Sequence, residues 1–223
     1  MSAKLVMALF ALFTAATVRH LVDVGGEALA DPTSRAWLVV GFWGIKTAIV
    51  AAFAYFVLVR PASRRSARAP VAFVACAAAI AGTVALQGPA DAAFMPTLVA
   101  GEAIALGSSA WLLASVLALG RCFGILPEAR GLVTRGPYRL VRHPVYLGEL
   151  GVCAGLVIGA PTIWNLGCAA VILAAQIVRM GLEERALEAE FPEYASYALH
   201  TPRLTPWRSR RRLALTPTPP LEA

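Results

Sequence analysis

Charge is scarce in this sequence, and what there is leans to one sign. Only 15% of the 223 residues are charged, and 13 acidic residues stand against 20 basic ones, for a net charge of +7. Apolar residues make up 58% of the chain and mean hydropathy is +0.67. A soluble domain holds about 45–50% apolar residues. The excess here falls in long runs, so the chain reads as an integral membrane protein. Its basic residues lie in short loops and the tail between those runs, where the positive-inside rule places them. That placement argues against nucleic acid as a partner. Cysteine is also sparse: Cys76, Cys122, Cys153 and Cys168 form no CxxC pair. Three of them sit inside apolar runs, where cysteine behaves as a small hydrophobe. Neither a disulfide framework nor a zinc site is suggested, and no metal is expected. No glycine-rich turn follows a predicted strand, so the usual dinucleotide fingerprint is missing. There is no internal repeat and no soluble domain.

The apolar runs come next. A membrane-spanning helix needs about 20 mostly apolar residues. Candidate spans are 5–22, 37–59, 70–87 and 98–119. A longer block, 145–180, is interrupted by Gly159-Ala160-Pro161-Thr162. Proline removes a backbone donor and disfavours helix at the residue before it. The block is therefore expected to form a helical hairpin turning near Pro161, with a first arm short for a full span. Lys4 precedes the first apolar run in the manner of a signal sequence. No clean small-residue cleavage site follows before Arg19-His20, so a retained first helix is expected. The fold expected is all-α: a polytopic membrane bundle of about six segments, the last two forming the hairpin, followed by a cytoplasmic C-terminal segment. It divides into N-terminal membrane helices over 1–97, a core over 98–207, and an Arg-, Pro- and Thr-rich tail over 208–223 expected to stay disordered. Gly151, Gly155 and Gly159 recur every four residues, a spacing that permits close helix packing in lipid.

Orientation follows from the loop charges. Arg60, Arg64, Arg65 and Arg68 mark one loop. Arg121, Arg130, Arg135, Arg139 and Arg142 mark a second, and Arg203, Arg208, Arg210, Arg211 and Arg212 mark the tail. The alternate loops, 23–36 and 88–97, hold only Arg35 against Asp23, Glu27, Asp31 and Asp91. Both termini, the 60s loop and segment 120–144 are thus expected on the cytoplasmic side. An even number of crossings must then separate 144 from 181, which independently supports the hairpin.

Two polar stretches border the hairpin. The first, 136–148, packs His143, Arg139, Arg142, Tyr138 and Tyr146 around Pro137 and Pro144 at a bilayer boundary, where titratable groups are costly. Pro144 suits the first turn of a helix. His143 would then stand at a helix N-terminus, whose free N–H groups and dipole favour an anion. In the second stretch, Gln176, Arg179 and Glu183 share one helix face, and Arg179 and Glu183 are an i, i+4 pair. A helix end emerging into water accounts equally well for Arg179 and Glu183, and better for Glu188, Glu190 and Glu193. Lys46 and Glu102, ionisable groups within apolar spans, are expected to form a structural pair.

Arg142-His143-Pro144-x-Tyr146-x-Gly148, a polar hairpin exit with Glu183-Glu184-x-x-Leu187, and Phe191-x-x-Tyr194-x-x-Tyr197 before a proline-containing end resemble the isoprenylcysteine carboxyl methyltransferase family. The wider group includes membrane phospholipid N-methyltransferases. The resemblance covers about residues 100–207. It implies S-adenosylmethionine as cofactor, bound at the cytoplasmic face by the last helices and the tail. It implies cofactor contacts from Arg142, His143, Pro144, Tyr146, the backbone near Leu147, Gly148, Gln176, Glu184, Tyr194 and Tyr197. Arg179 and Glu183 would serve the reaction: Arg179 orienting an acidic substrate group or the cofactor carboxylate, and Glu183, with Glu184 or His143 as alternatives, accepting a proton where the acceptor has one to lose. The acceptor would be a lipid or other amphiphile bearing a carboxylate, amine or thiol, reached from the bilayer. The chain departs from the eukaryotic carboxyl methyltransferases in its shorter acidic cluster, with Arg185 after Glu183-Glu184, and in its Pro202-Arg203-Leu204 end. Membrane sterol-type reductases carry a similar Arg-His-Pro piece, so a nicotinamide-dependent reductase is the first alternative. A non-enzymatic transport or assembly protein is the second.

The orientation is open to a direct test. Alkaline phosphatase fused within 23–36 or 88–97 should be active, and fused within 60–69 or after 205 inactive. The reverse pattern would invert the assignment.

Overall fold

In a computed structural model, residues 3–61, 65–66, 69–88, 94–124 and 126–205 are described. The tail 208–223, Trp207, and the loop residues Arg64, Arg68 and Asp91 lie outside them. Helix α1 runs over Ala3–Ala30, α2 over Ser34–Val59, α3 over Ala69–Ala85 and α4 over Met95–Leu119. Short 3-10 turns at Gly120–Cys122 and Gly136–Arg139 lead to α5, Pro144–Gly159; then come α6, Ile163–Glu190, and α7, Tyr194–His200. The one small sheet among the described residues pairs β1, Arg65–Ser66, antiparallel with β2, Glu128–Ala129, with Arg65 opposite Ala129. It ties the 60s loop to the segment after α4.

Local chemistry sets most of these boundaries. Thr33 caps α2, its hydroxyl accepting from the Ala36 N–H at 3.1 Å. Thr162 does the same for α6 through the Asn165 N–H, satisfying donors that a helix start leaves open. Helix α1 continues past residue 22, because no breaker occurs until Asp31-Pro32. Helix α6 likewise continues past residue 180 and stops at Phe191, the residue before Pro192. Among the described residues, three helices are long and apolar enough to cross a membrane: Ser34–Val59, Met95–Cys122 and Ile163–Glu190. Helices α3 and α5 are shorter, with 17 and 16 residues.

The turn at 160–162 is held by buried Asn165. Its amide donates to the Ala160 carbonyl at 2.8 Å and the Gln87 carbonyl at 3.0 Å, and its oxygen accepts from the Gln87 N–H at 2.9 Å. The hairpin arms nevertheless touch each other little. Helix α5 packs chiefly on α4, and α6 on α3. Small residues allow the α4–α5 approach. A Cβ on Gly155 would fall 2.6 Å from the Ala105 nitrogen, and one on Gly101 would fall 2.5 Å from the Gly155 carbonyl oxygen. Behind them, Ile49, Phe56, Leu112, Val116 and Phe123 form a core between α2 and α4.

The expected Lys46–Glu102 pair does not form. Glu102 is held by Arg35, whose Nε and Nη2 donate to it at 3.1 and 2.9 Å. Lys46 lies about 16 Å further along α2. It sits instead over the Trp43 ring, 4.2 Å from its centroid, in a cation–π contact.

Gly155→Val should lower stability by about 1–3 kcal/mol through overpacking. Gly107→Ala, with nothing within 4 Å of the added carbon, should leave the thermal midpoint in detergent unchanged or slightly raised. Equal behaviour of the two variants would refute the close α4–α5 approach.

Candidate active site

Pro144 occupies the first turn of α5, with His143 as its N-terminal cap residue. The residue before a proline is steered out of helix; His143, at φ −124° and ψ 60°, is not helical, and the N–H groups of 142–143 are free to pair. They pair with the end of the chain. The Arg142 N–H donates to the Pro202 carbonyl at 2.8 Å, and the His143 N–H to the Arg203 carbonyl at 3.1 Å. Segment 202–203 thereby lies along the start of α5 like a strap. The Leu147 N–H closes the first helical turn on the His143 carbonyl at 3.0 Å.

The C-terminal end of α6 supplies the carboxylates. Glu184 is 5% exposed. One of its oxygens takes Arg142 Nη1 at 2.9 Å, His143 Nε2 at 3.1 Å and Arg203 Nε at 3.0 Å. The other accepts from Arg203 Nη2. Such charge-assisted contacts are the strong ones, and they offset the cost of burying a carboxylate. The pair also raises the pKa of the Arg203 guanidinium, through its hydrogen bonds to Glu184.

Glu183, one residue earlier, faces differently. It accepts from the Tyr146 hydroxyl at 2.8 Å and lies 3.9 Å from His143 Nδ1, and its side chain stays 27% exposed. Arg179 stacks over the Tyr146 ring, 4.9 Å from its centroid. Its Nη1 donates to Gln176 Oε1 at 2.7 Å and stands 3.5 Å from Glu149. Gln176 donates to Glu149 in turn. The Cys76 thiol of α3 meets Arg179 from the other side. Glu149, Gln176, Arg179, Tyr146, Glu183 and His143 thus form one polar chain running along α6 toward its C-terminal end.

Tyrosines close the outer side. The Tyr197 hydroxyl donates to the Tyr138 carbonyl at 2.6 Å. Tyr194 is 1% exposed; its hydroxyl and Arg142 Nε meet no hydrogen-bond geometry among the described residues, although the Tyr194 phenol and the Arg142 guanidinium adjoin each other. Burial pushes the Tyr197 phenol up to about 12, and raises those of Tyr138 and Tyr194 as well. All three therefore remain protonated near neutrality. They border a cavity of about 30 Å³, shared with Arg142, Glu183, Cys122 and Leu187, room for about one water. On the lipid side, an apolar groove of about 530 Å³ lies between α3 and α6, from Pro70 and Val71 to Val178.

Of the residues singled out in the sequence, Arg142, His143, Tyr146, Gln176, Arg179, Glu183, Glu184, Tyr194 and Tyr197 come together here. Three do not face this cluster with their side chains. Pro144 is buried and its carbonyl accepts from Trp111 Nε1 at 2.9 Å. Gly148 packs on α4, where an added Cβ would meet Leu112 at 2.8 Å. Leu147 contributes only its helical N–H. Glu188 and Glu193 are exposed. Glu149, Arg203 and Cys76 were missed as members. Glu149 had a readable signal, an acidic residue inside an apolar run. Arg203 had none, because its partner lies on another element.

Residues 93–193 match the phospholipid methyltransferase family. This part of the chain is similar to phospholipid methyltransferases. Over 78 residues the chain is also 42% identical to the cobalt-zinc-cadmium resistance protein CzcN of Cupriavidus metallidurans, a stretch covering 34% of this chain and 35% of that protein. The alignment thus spans about a third of the relative's length. No solved structure matches the chain. The segment contains α4, α5, α6 and both carboxylates of the cluster. The strap, Tyr194, Tyr197 and Cys76 come from outside it.

Glu184→Ala should cost about 3–5 kcal/mol, because it leaves Arg142 mostly buried without its anion. Arg203→Ala should cost about 1 kcal/mol or less, since half of that side chain is in water. Thermal unfolding in detergent reads the difference, and equal losses would contradict this division of roles.

Proposed function

We propose that this chain is an integral membrane methyltransferase that uses S-adenosylmethionine to methylate a lipophilic or amphiphilic acceptor at the cytoplasmic face. The observation that carries the reading is a cavity lined by Arg142, Glu183, Tyr138, Tyr194 and Tyr197, with His143 and Tyr146 bonded to Glu184 and Glu183 behind it and with the Tyr194 hydroxyl and Arg142 Nε outside hydrogen-bond geometry among the described residues. Unsatisfied buried polar atoms are few in folded proteins and call for a reason. A zwitterionic ligand with ribose hydroxyls and an adenine ring supplies one.

The donor set fits the cofactor. Arg142 and the start of α5 suit its carboxylate. Glu183 suits its ammonium or ribose hydroxyls, and Tyr138, Tyr194 and Tyr197 suit the adenine. The cavity is far smaller than the ligand, so the strap at 202–203 and the Tyr194–Tyr197 helix must part to admit it. Glu184 organises the site, with both oxygens occupied by Arg142, His143 and Arg203. S-adenosylmethionine supplies an electrophilic methyl group on a sulfonium. The protein supplies orientation and a water-poor boundary, which together lower the barrier to in-line displacement. A carboxylate acceptor needs no base. An amine or thiol would hand its proton to Glu183, whose carboxylate is the more exposed of the pair. Arg179 orients an acidic group of the acceptor. The acceptor's hydrocarbon would approach along the groove between α3 and α6, which ends at Val178, beside Arg179. The relative's printed role in cobalt, zinc and cadmium resistance leaves a small or membrane thiol among the acceptors to be tried.

Purified protein should bind S-adenosylmethionine and its demethylated product by calorimetry, and Glu183→Ala should weaken binding at least about tenfold. Incubation with labelled S-adenosylmethionine and total membrane lipid should yield a labelled lipid. No heat and no thermal shift with either compound would sink the proposal.

A further inference from the structure

We infer that Glu149 is a positioning residue that holds Arg179 away from Glu183, so that Glu183 presents an unneutralised carboxylate to a cationic ligand centre. The inference rests on the proposed sulfonium cofactor and names what its charge is read by.

Two carboxylates compete for one guanidinium here. Glu183 is four residues after Arg179 on the same helix, the spacing at which such pairs ordinarily form. Arg179 nevertheless pairs with Glu149 at 3.5 Å and with the Gln176 amide oxygen at 2.7 Å. Glu149 reaches across from α5, and its other contact, from the Gln176 amide, fixes its carboxylate. Tyr146 stands between the competitors. Its ring lies under the guanidinium and its hydroxyl donates to Glu183. A neutral phenol is therefore the Glu183 partner on this side, and neutral donors leave the carboxylate charge in place. The Arg179 side chain is only 13% exposed. A cation so placed does not stay without an anion. Once Glu149 loses its charge, Glu183 is the nearest remaining anion on the Arg179 face, one helical turn away.

The consequence is a charge-selective readout. S-adenosylmethionine carries a sulfonium; S-adenosylhomocysteine has the same shape less a methyl group and is neutral at sulfur. A charged carboxylate in a half-buried setting favours the sulfonium form, and one neutralised by Arg179 does not. Wild-type protein should bind S-adenosylmethionine at least about tenfold more tightly than S-adenosylhomocysteine. Glu149→Gln should bring the two dissociation constants within about twofold of each other by calorimetry. Glu149→Asp, which keeps the charge, should restore the preference, and Glu183→Gln should abolish it. A purely structural role predicts that both constants rise together in Glu149→Gln with their ratio kept, and that outcome overturns the inference. A wild-type ratio near one overturns it too. Binding of neither compound by the wild-type protein removes the proposed function along with it, whereas binding of both with an unchanged ratio removes this inference alone.

Discussion

Glu184 is the point on which the start of α5, the end of α6 and the strap at 202–203 close. Its carboxylate gathers Arg142 and His143 from before α5 and Arg203 from the chain's last described stretch. None of these groups could be buried singly at a bilayer boundary without a large desolvation cost. Together they satisfy one another, and the backbone bonds from 142–143 to 202–203 align the strap that the side-chain contacts secure. The position of Glu183, and hence of the Tyr146 hydroxyl and Arg179, follows from the same helix end.

Charge is balanced across the site yet unevenly spread. Glu149, Glu183 and Glu184 face Arg142, Arg179 and Arg203. The outer cluster holds two guanidiniums around one carboxylate. The inner chain holds two carboxylates around one guanidinium. A neutral total lets the set lie at the membrane boundary, and the polarity along it is what a zwitterion with a further cationic centre would meet. The scaffold keeps this polarity in register. Glycines on α5 bring it onto α4 at backbone distance, and Asn165 ties the hairpin turn to the end of α3. The start of α5 and the exit of α6 are thus set by packing deep in the bundle.

The helices were legible because their signals are local. Apolar length, Pro144, Pro161 and Pro192 mark where helices begin and end, and each acts through its own backbone. The Gln176–Arg179–Glu183 face was legible for the same reason, since helical spacing alone creates it. Lys46 and Glu102 show where such reading fails. Two ionisable residues in apolar spans looked like a pair, but depth along α2 gave Glu102 to Arg35 and left Lys46 to Trp43. Gly148 fails in a similar way: a residue of a functional-looking motif turns out to face α4, because only the helix rotation decides which side of α5 it occupies.

By itself, then, the sequence determined a membrane bundle of helices, the hairpin at Pro161, and the two polar stretches that flank it. These depend on hydrophobic length and on proline's backbone geometry, which no distant residue can alter. Only the tertiary structure decided who pairs with whom. The pairing of Arg179 with Glu149 rather than Glu183, and the closing of Glu184 by Arg203, are choices among several oppositely charged partners within reach. They are settled by the depth and rotation of packed helices, quantities that no spacing within a single segment contains.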